Sequence, residues 1–174
     1  LLGKSRLAIS SLERALEDFR RAQRFPMPPG EPGEAKFWEG ETLFQLKRYP
    51  EAQAAYEIVL RQPSPLAPDA YYGLGWTALH QNQTETAVRA FRQLLTGWPA
   101  HRLAPSAAYQ LARALADLNR PAEALALLKS YATTYPESPW LAEAFYLHGW
   151  SELATDEPSA AAQTFQSFLT RFPT

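Results

Sequence analysis

Five prolines, Pro26, Pro63, Pro99, Pro136 and Pro173, stand 37, 36, 37 and 37 residues apart in a chain of 174 residues. Proline lacks a backbone N–H and its ring clashes with the preceding turn, so it stops a helix. Phe25, Trp98, Tyr135 and Phe172 each directly precede one of these prolines and end an apolar run. That is the pattern of a stop just past a helix C-terminus. The spacing predicts a helical unit that recurs at this interval, and an internal period of this size constrains the fold more than any single motif.

The rest of the chain agrees with helices. Val and Ile, which favour pleated surfaces, occur only as Val59, Val88, Ile9 and Ile58. The full set of 15 prolines requires the helices to be short and often interrupted. Upstream of each stop lies an alanine, a large residue four later and an apolar residue three after that. These are Ala15/Phe19/Ala22, Ala52/Tyr56/Val59, Ala87/Phe91/Leu94, Ala124/Leu128/Tyr131 and Ala161/Phe165/Phe168, each set forming one helical face. Twelve residues before each alanine stands a small residue: Gly3, Gly40, Gly75, Ala112 or Gly149. Glycine inside a helix costs roughly 1 kcal/mol against alanine, so its recurrence calls for a packing reason. The expected reason is close approach of two backbones, small residue against small residue.

Each unit thus reads as helix A, a tight turn, helix B and a Pro-closed connection. The turns are Lys47–Pro50, Gln81–Thr84, Asn119–Pro121 and Thr155–Pro158. Pro68-Asp69 and Pro105-Ser106 suit helix starts, where the fixed φ of proline is already helical. The small residue late in helix A, the alanine opening helix B, the bulky residue four later and the closing proline together resemble the tetratricopeptide repeat. That resemblance implies an all-α, right-handed superhelical solenoid of stacked antiparallel hairpins. Four repeats are expected at about 33–67, 68–104, 105–141 and 142–174, a partial one at 1–26, and a Pro/Gly connection at 27–32. The units are slightly longer than the usual 34 residues. Glu39 and His148 stand where an apolar residue normally precedes the small one.

Helix A carries two apolar stripes. Tyr71, Leu74, Gly75 and Ala78 must meet helix B and are expected in the core. The other stripe holds Phe37, Glu41 and Phe44, then Tyr72, Trp76 and Leu79, then Tyr109, Arg113 and Ala116, then Tyr146, Trp150 and Leu153. In tetratricopeptide-repeat proteins this stripe lines a concave groove that receives a partner. Aromatic rings give large rigid contact area, and Trp, Tyr and Arg dominate binding hot spots. The functional reading is an aromatic groove with Glu41 and Arg113 as polar selectors. The structural reading is that neighbouring A helices pack through these rings and expose only their edges.

Other chemistries find little support. With 17 basic and 18 acidic residues the chain lacks the basic stripe of a nucleic-acid or membrane-surface binder. No stretch approaches the roughly 20 apolar residues of a membrane span. His80, His101 and His148 fall in different units without paired spacing, so no metal site, cofactor or catalytic group is assigned. Gly73-Leu74-Gly75 lies within a helix and follows no strand, unlike a phosphate loop. Glu123, Glu143 and Asp156 fall on solvent faces and turns. Residues 25–33 are expected to be a stiff spacer rather than a proline-rich ligand, and Trp98 and Trp140 to wedge neighbouring units.

The preferred function is a non-catalytic scaffold that holds a peptide or protein segment. Alternatives are a structural self-association module and the substrate-presenting arm of a larger enzyme. Leu1-Leu2-Gly3-Lys4 reads as the start of an excised piece, whose open ends would expose apolar surface and allow homo-oligomers. Lack of cysteine suits cytoplasm and periplasm alike. The connections Pro63–Gly75 and Tyr135–Ala144 are similar to those of bacterial envelope members of the family, among them a Tol–Pal-associated periplasmic protein and the outer-membrane assembly lipoprotein. This resemblance implies a periplasmic or cell-envelope location.

Overall fold

A computed structural model describes residues 2–22 and 33–173, with side chains for 10–21 and 33–173. The Pro/Gly connection expected at 27–32, and Pro26 with it, lie outside the described residues. Every regular element among the described residues is a helix. The chain divides into two compact units, Leu1–Ala90 and Phe91–Thr174.

The first unit contains α1 (Leu2–Ala22), α2 (Glu34–Gln45), α3 (Tyr49–Val59), α4 (Ala67–His80) and the start of α5 (Thr84–Gly97), within which the boundary falls. Helix α1 packs on α2, α2 on α3 and α3 on α4. Leu16, Leu43, Tyr56, Val59, Leu74 and Ala90 form part of the buried cluster between them, and Tyr71 packs against it. The second unit continues with α6 (Ala104–Asp117), α7 (Pro121–Leu128), α8 (Tyr131–Thr134), α9 (Leu141–Ala154) and α10 (Pro158–Arg171). There α6 packs on α7, α7 on α9 and α9 on α10.

All four A-to-B turns use one backbone device. Lys47, Asn82, Asn119 and Asp156 adopt left-handed φ values of 59°, 57°, 56° and 62°. In each, the N–H of the following residue reaches back five residues, as in Arg48 N to Leu43 O at 2.9 Å and Glu157 N to Glu152 O at 2.8 Å. The left-handed residue itself bonds three residues back, as in Lys47 N to Phe44 O at 2.9 Å. This pair of bonds satisfies carbonyls that the helix end would otherwise leave open. Proline follows within the first or second position of α3, α4, α6, α7 and α10, where its missing N–H has no helical partner to lose. The prolines thus punctuate both ends of the helices.

The connections between hairpins share a second device. Ser64 Oγ accepts from Leu66 N at 3.2 Å, and Ser138 Oγ from Trp140 N at 3.1 Å. His101 holds the same position and its Nδ1 accepts from Leu103 N at 3.4 Å. His101 is therefore accounted for by turn geometry.

Four expectations need correction. At Gly40 and Gly149 the recurrent small residue meets the bulky ring of helix B, rather than a small residue opposite. A Cβ on Gly40 would lie 2.9 Å from Tyr56 Cε1, and one on Gly149 only 2.6 Å from Phe165 Cε1. Residues 2–22 form one 21-residue helix rather than the remnant of an A helix, a turn and a B helix. Between Gly3 and Ala15 there is no Pro, Gly, Asn or Asp to supply the turn. Helix B of the third hairpin is broken into α7 and α8, although Tyr131 is still buried. At the break the Ser130 hydroxyl reaches Leu127 O at 3.4 Å and that of Thr133 reaches Ser130 O at 2.8 Å, and such local bonds compete with the helical ladder. Phe37, expected on the groove, is 6% exposed and packs against Tyr56 with ring centroids 6.0 Å apart. It is a core residue because the close approach at Gly40 draws the helix B ring under this part of α2.

Glu39 and His148 also find distinct solutions. Glu39 is buried and paired with Arg20 of α1 at 3.0 Å and with Lys36 at 2.5 Å, so its charge is compensated on both sides. His148 lies 3.4 Å from the buried Glu152. Burial lowers the His148 pKa, while the carboxylate of Glu152 opposes that shift.

Candidate functional site

In the first unit the A-helix stripe forms the walls of a pocket of about 370 Å³ lined by Glu41, Phe44, Tyr56, Tyr72, Gly73, Trp76 and His80. Helix α2 supplies Glu41 and Phe44, at i and i+3, while α4 supplies Tyr72, Trp76 and His80, one per turn on one face. Tyr72 and Trp76 meet edge to face at 6.3 Å. His80 stacks on Tyr49 at 4.7 Å with an interplanar angle of 3°, and Phe44 meets both rings in T-shaped contacts. The aromatic faces are fixed by mutual contact rather than left free to rotate.

The floor comes from helix B. The fully buried Tyr56 ring lies between the two A helices. A Cβ on Gly73 would come within 2.6 Å of its Cζ, as one on Gly40 would crowd its Cε1. Glycine at both places leaves room for the ring, so its hydroxyl reaches the pocket wall and donates to Glu41 Oε1 at 2.5 Å. Burial first, then the negative charge of Glu41 and the bond to it, push the Tyr56 hydroxyl far above the ordinary tyrosine range. It stays protonated and donates, so one Glu41 oxygen is held in place while the carboxylate keeps further acceptor capacity.

The second unit has its own pocket, of about 380 Å³, lined by Tyr109, Arg113, Ala142, Glu143, Tyr146, Leu147 and Phe168. Tyr109 stacks on Trp140 at 5.3 Å, and the indole N–H of Trp140 donates to Ser106 Oγ at 2.8 Å. Trp140 therefore braces the wall of this pocket. Burial raises the Tyr109 pKa, and the nearby Arg113 guanidinium works against that rise. Tyr146 and Trp150 are about half exposed, at 52% and 51%, and meet edge to face at 6.2 Å.

The stripe is thus divided by the structure. Glu41, Phe44, Tyr72 and Trp76 converge in one pocket, and Tyr109, Arg113 and Tyr146 in the other. Leu79, Trp150 and Leu153 line neither, and Phe37 belongs to the core. Sequence reasoning missed His80, Tyr56 and Gly73. His80 was legible as the next turn after Tyr72 and Trp76, at i+8. Gly73 carried no repeat signal, because its role depends on Tyr56 approaching from another helix.

Models of the tetratricopeptide repeat match residues 1–52, 37–102 and 81–139, and a second model of the same repeat matches 143–174. No curated protein matches the chain. Among solved structures, the fold is similar to YrrB, described as a TPR protein with an unusual peptide-binding site. Identity is 21% and the TM-score 0.74, over 95% of this chain and 80% of that one. It is also similar to MamA, at 14% identity and TM-score 0.75 over 98% and 94% of the two chains. A MamA fragment from Desulfovibrio magneticus RS-1 aligns at 20% identity and TM-score 0.72, over 97% and 90%.

Proposed function

Because the chain belongs to the tetratricopeptide-repeat family, we propose that it is a non-catalytic scaffold whose A helices hold a segment of another protein. The observation that carries this reading is the convergence of Phe44, Tyr72 and Trp76, with Glu41, on one preformed pocket. Rigid aromatic walls around a few placed polar groups are what ligand pockets share, and aromatic anchors supply most of the affinity at hot spots. Phe37 leaves the proposed contact set because it is core. Tyr109, Arg113 and Tyr146 remain in it, and Leu79, Trp150 and Leu153 would contribute contact at its margins. Similarity to a TPR protein described as having a peptide-binding site supports a peptide as the ligand class.

Selection of peptides from a display library against the chain, followed by photo-crosslinking, tests the proposal. Crosslinks are expected at Tyr72, Trp76 and Tyr146; crosslinks confined to helix B faces would overturn it. Self-association is the competing outcome, seen as a mass that rises with concentration in light scattering. The proposed setting is bacterial cell-envelope assembly, supported by the envelope-like connections Pro63–Gly75 and Tyr135–Ala144. Recovery of the native protein in the cytoplasmic fraction would contradict that setting.

A further inference from the structure

We propose that the pocket between α2 and α4 is a cation cage that takes an arginine side chain of the bound segment. This deepens the scaffold reading and rests on it. Phe44, Tyr72 and Trp76, with His80 beside them, line a space of about 370 Å³. Ring faces carry a negative quadrupole that attracts a cation, most strongly at tryptophan. The wall includes one carboxylate, Glu41, and no lysine or arginine is among the seven lining residues. The charge left to be matched there is negative.

The Tyr56 hydroxyl adds direction. Its hydrogen bond to Glu41 Oε1 anchors the carboxylate from below, so the group is positioned before any ligand arrives. A guanidinium suits this better than an ammonium. It is planar, stacks on aromatic faces, is more weakly hydrated and can bond a carboxylate through two N–H groups. An ammonium would give up more hydration to enter a pocket walled mainly by rings. The pocket of the second unit differs, since it carries Arg113 together with Glu143. The selectivity for a cation is therefore assigned to the first unit alone.

The test uses peptides selected from a display library against the wild-type chain, each resynthesised with its arginines replaced one at a time by neutral citrulline. Citrulline keeps the shape and removes the charge. Binding is expected to weaken about tenfold or more at one arginine, and Glu41→Gln, which still accepts the Tyr56 bond, should erase that discrimination. Trp76→Leu should weaken arginine peptides more than their citrulline forms, and serves as the second variant if Glu41→Gln does not fold. Equal affinity of arginine and citrulline peptides for the wild-type chain overturns the cage. Where those peptides still lose binding in the Tyr72→Ala/Trp76→Ala variant, the scaffold reading survives that failure. If the library yields no binding peptide, the scaffold reading falls and the cage with it.

Discussion

The hydroxyl of Tyr56, a fully buried residue of helix B, donates to Glu41 Oε1 on helix A at 2.5 Å. This bond ties the hairpin core to the wall of the first-unit pocket. Tyr56→Phe keeps the ring between Gly40 and Gly73 and removes only the bond. Loss of this bond to a partly buried carboxylate is expected to lower stability by about 1 kcal/mol. Denaturant unfolding of the variant would show it; an unchanged midpoint would mean that the bond contributes nothing.

Gly73 is predicted to be coupled to the same ring. A Cβ there would sit 2.6 Å from Tyr56 Cζ, so Gly73→Ala should destabilise by about 1 to 3 kcal/mol through overpacking. In a Tyr56→Leu background most of that penalty should vanish, because alanine is the better helix former once the ring is gone. A double-mutant cycle measures the difference. Additive effects would show that the two positions are not in contact.

Lys47 offers a gain in stability. It holds φ 59° with an exposed side chain, in the position that Asn82, Asn119 and Asp156 fill in the other turns. Asparagine tolerates the left-handed region better than lysine, and glycine does so without steric penalty. Lys47→Asn and Lys47→Gly should each raise stability by about 0.5 to 1 kcal/mol, read as a higher Tm. A fall in Tm would imply that the lysine side chain makes a contact worth more than the strain.

Alkali is expected to destabilise the second unit through Tyr131. Its hydroxyl donates to Pro105 O at 2.8 Å, and burial, opposed by the bond to Ser138, pushes its pKa from 10.0 up to about 12. The folded state therefore holds this proton more tightly than the unfolded one. The contribution is complete below about pH 10 and disappears as the pH rises through about 12. Tyr131→Phe should be less stable at neutral pH by about 1 kcal/mol and should lose stability less steeply in that window. Equal slopes would contradict the assignment.

Much of this architecture was legible because helices obey local rules. The proline period, the alanine-led face of helix B and the polar turns each act within a few residues, and they place the hairpins α2/α3 and α9/α10 from sequence alone. What was not legible depends on contacts between helices. Ser130 and Thr133 break helix B by local hydroxyl bonding that the apolar pattern does not reveal. Phe37 and Tyr72 occupy the same position of the repeat, yet Phe37 is 6% exposed while Tyr72 is only half-buried and lines the pocket. Repeat position identified the aromatic stripe; the surroundings of each ring decided which members reach a pocket. Gly73 shows the same limit, since its meaning comes from a tyrosine seventeen residues earlier on another helix.

The half-buried rings of helix A are proposed to bind a partner instead of holding the fold. Tyr72 and Trp76 lie outside the buried core and line the pocket together. The direct measurement is the affinity of a library-selected peptide for the Tyr72→Ala/Trp76→Ala variant by isothermal titration calorimetry, on protein whose helical circular dichroism has been recorded. A loss of about 2 kcal/mol or more in binding free energy, roughly thirtyfold in Kd, is expected with helicity unchanged. Wild-type affinity in the double variant, or collapse of its helical signal, would contradict it.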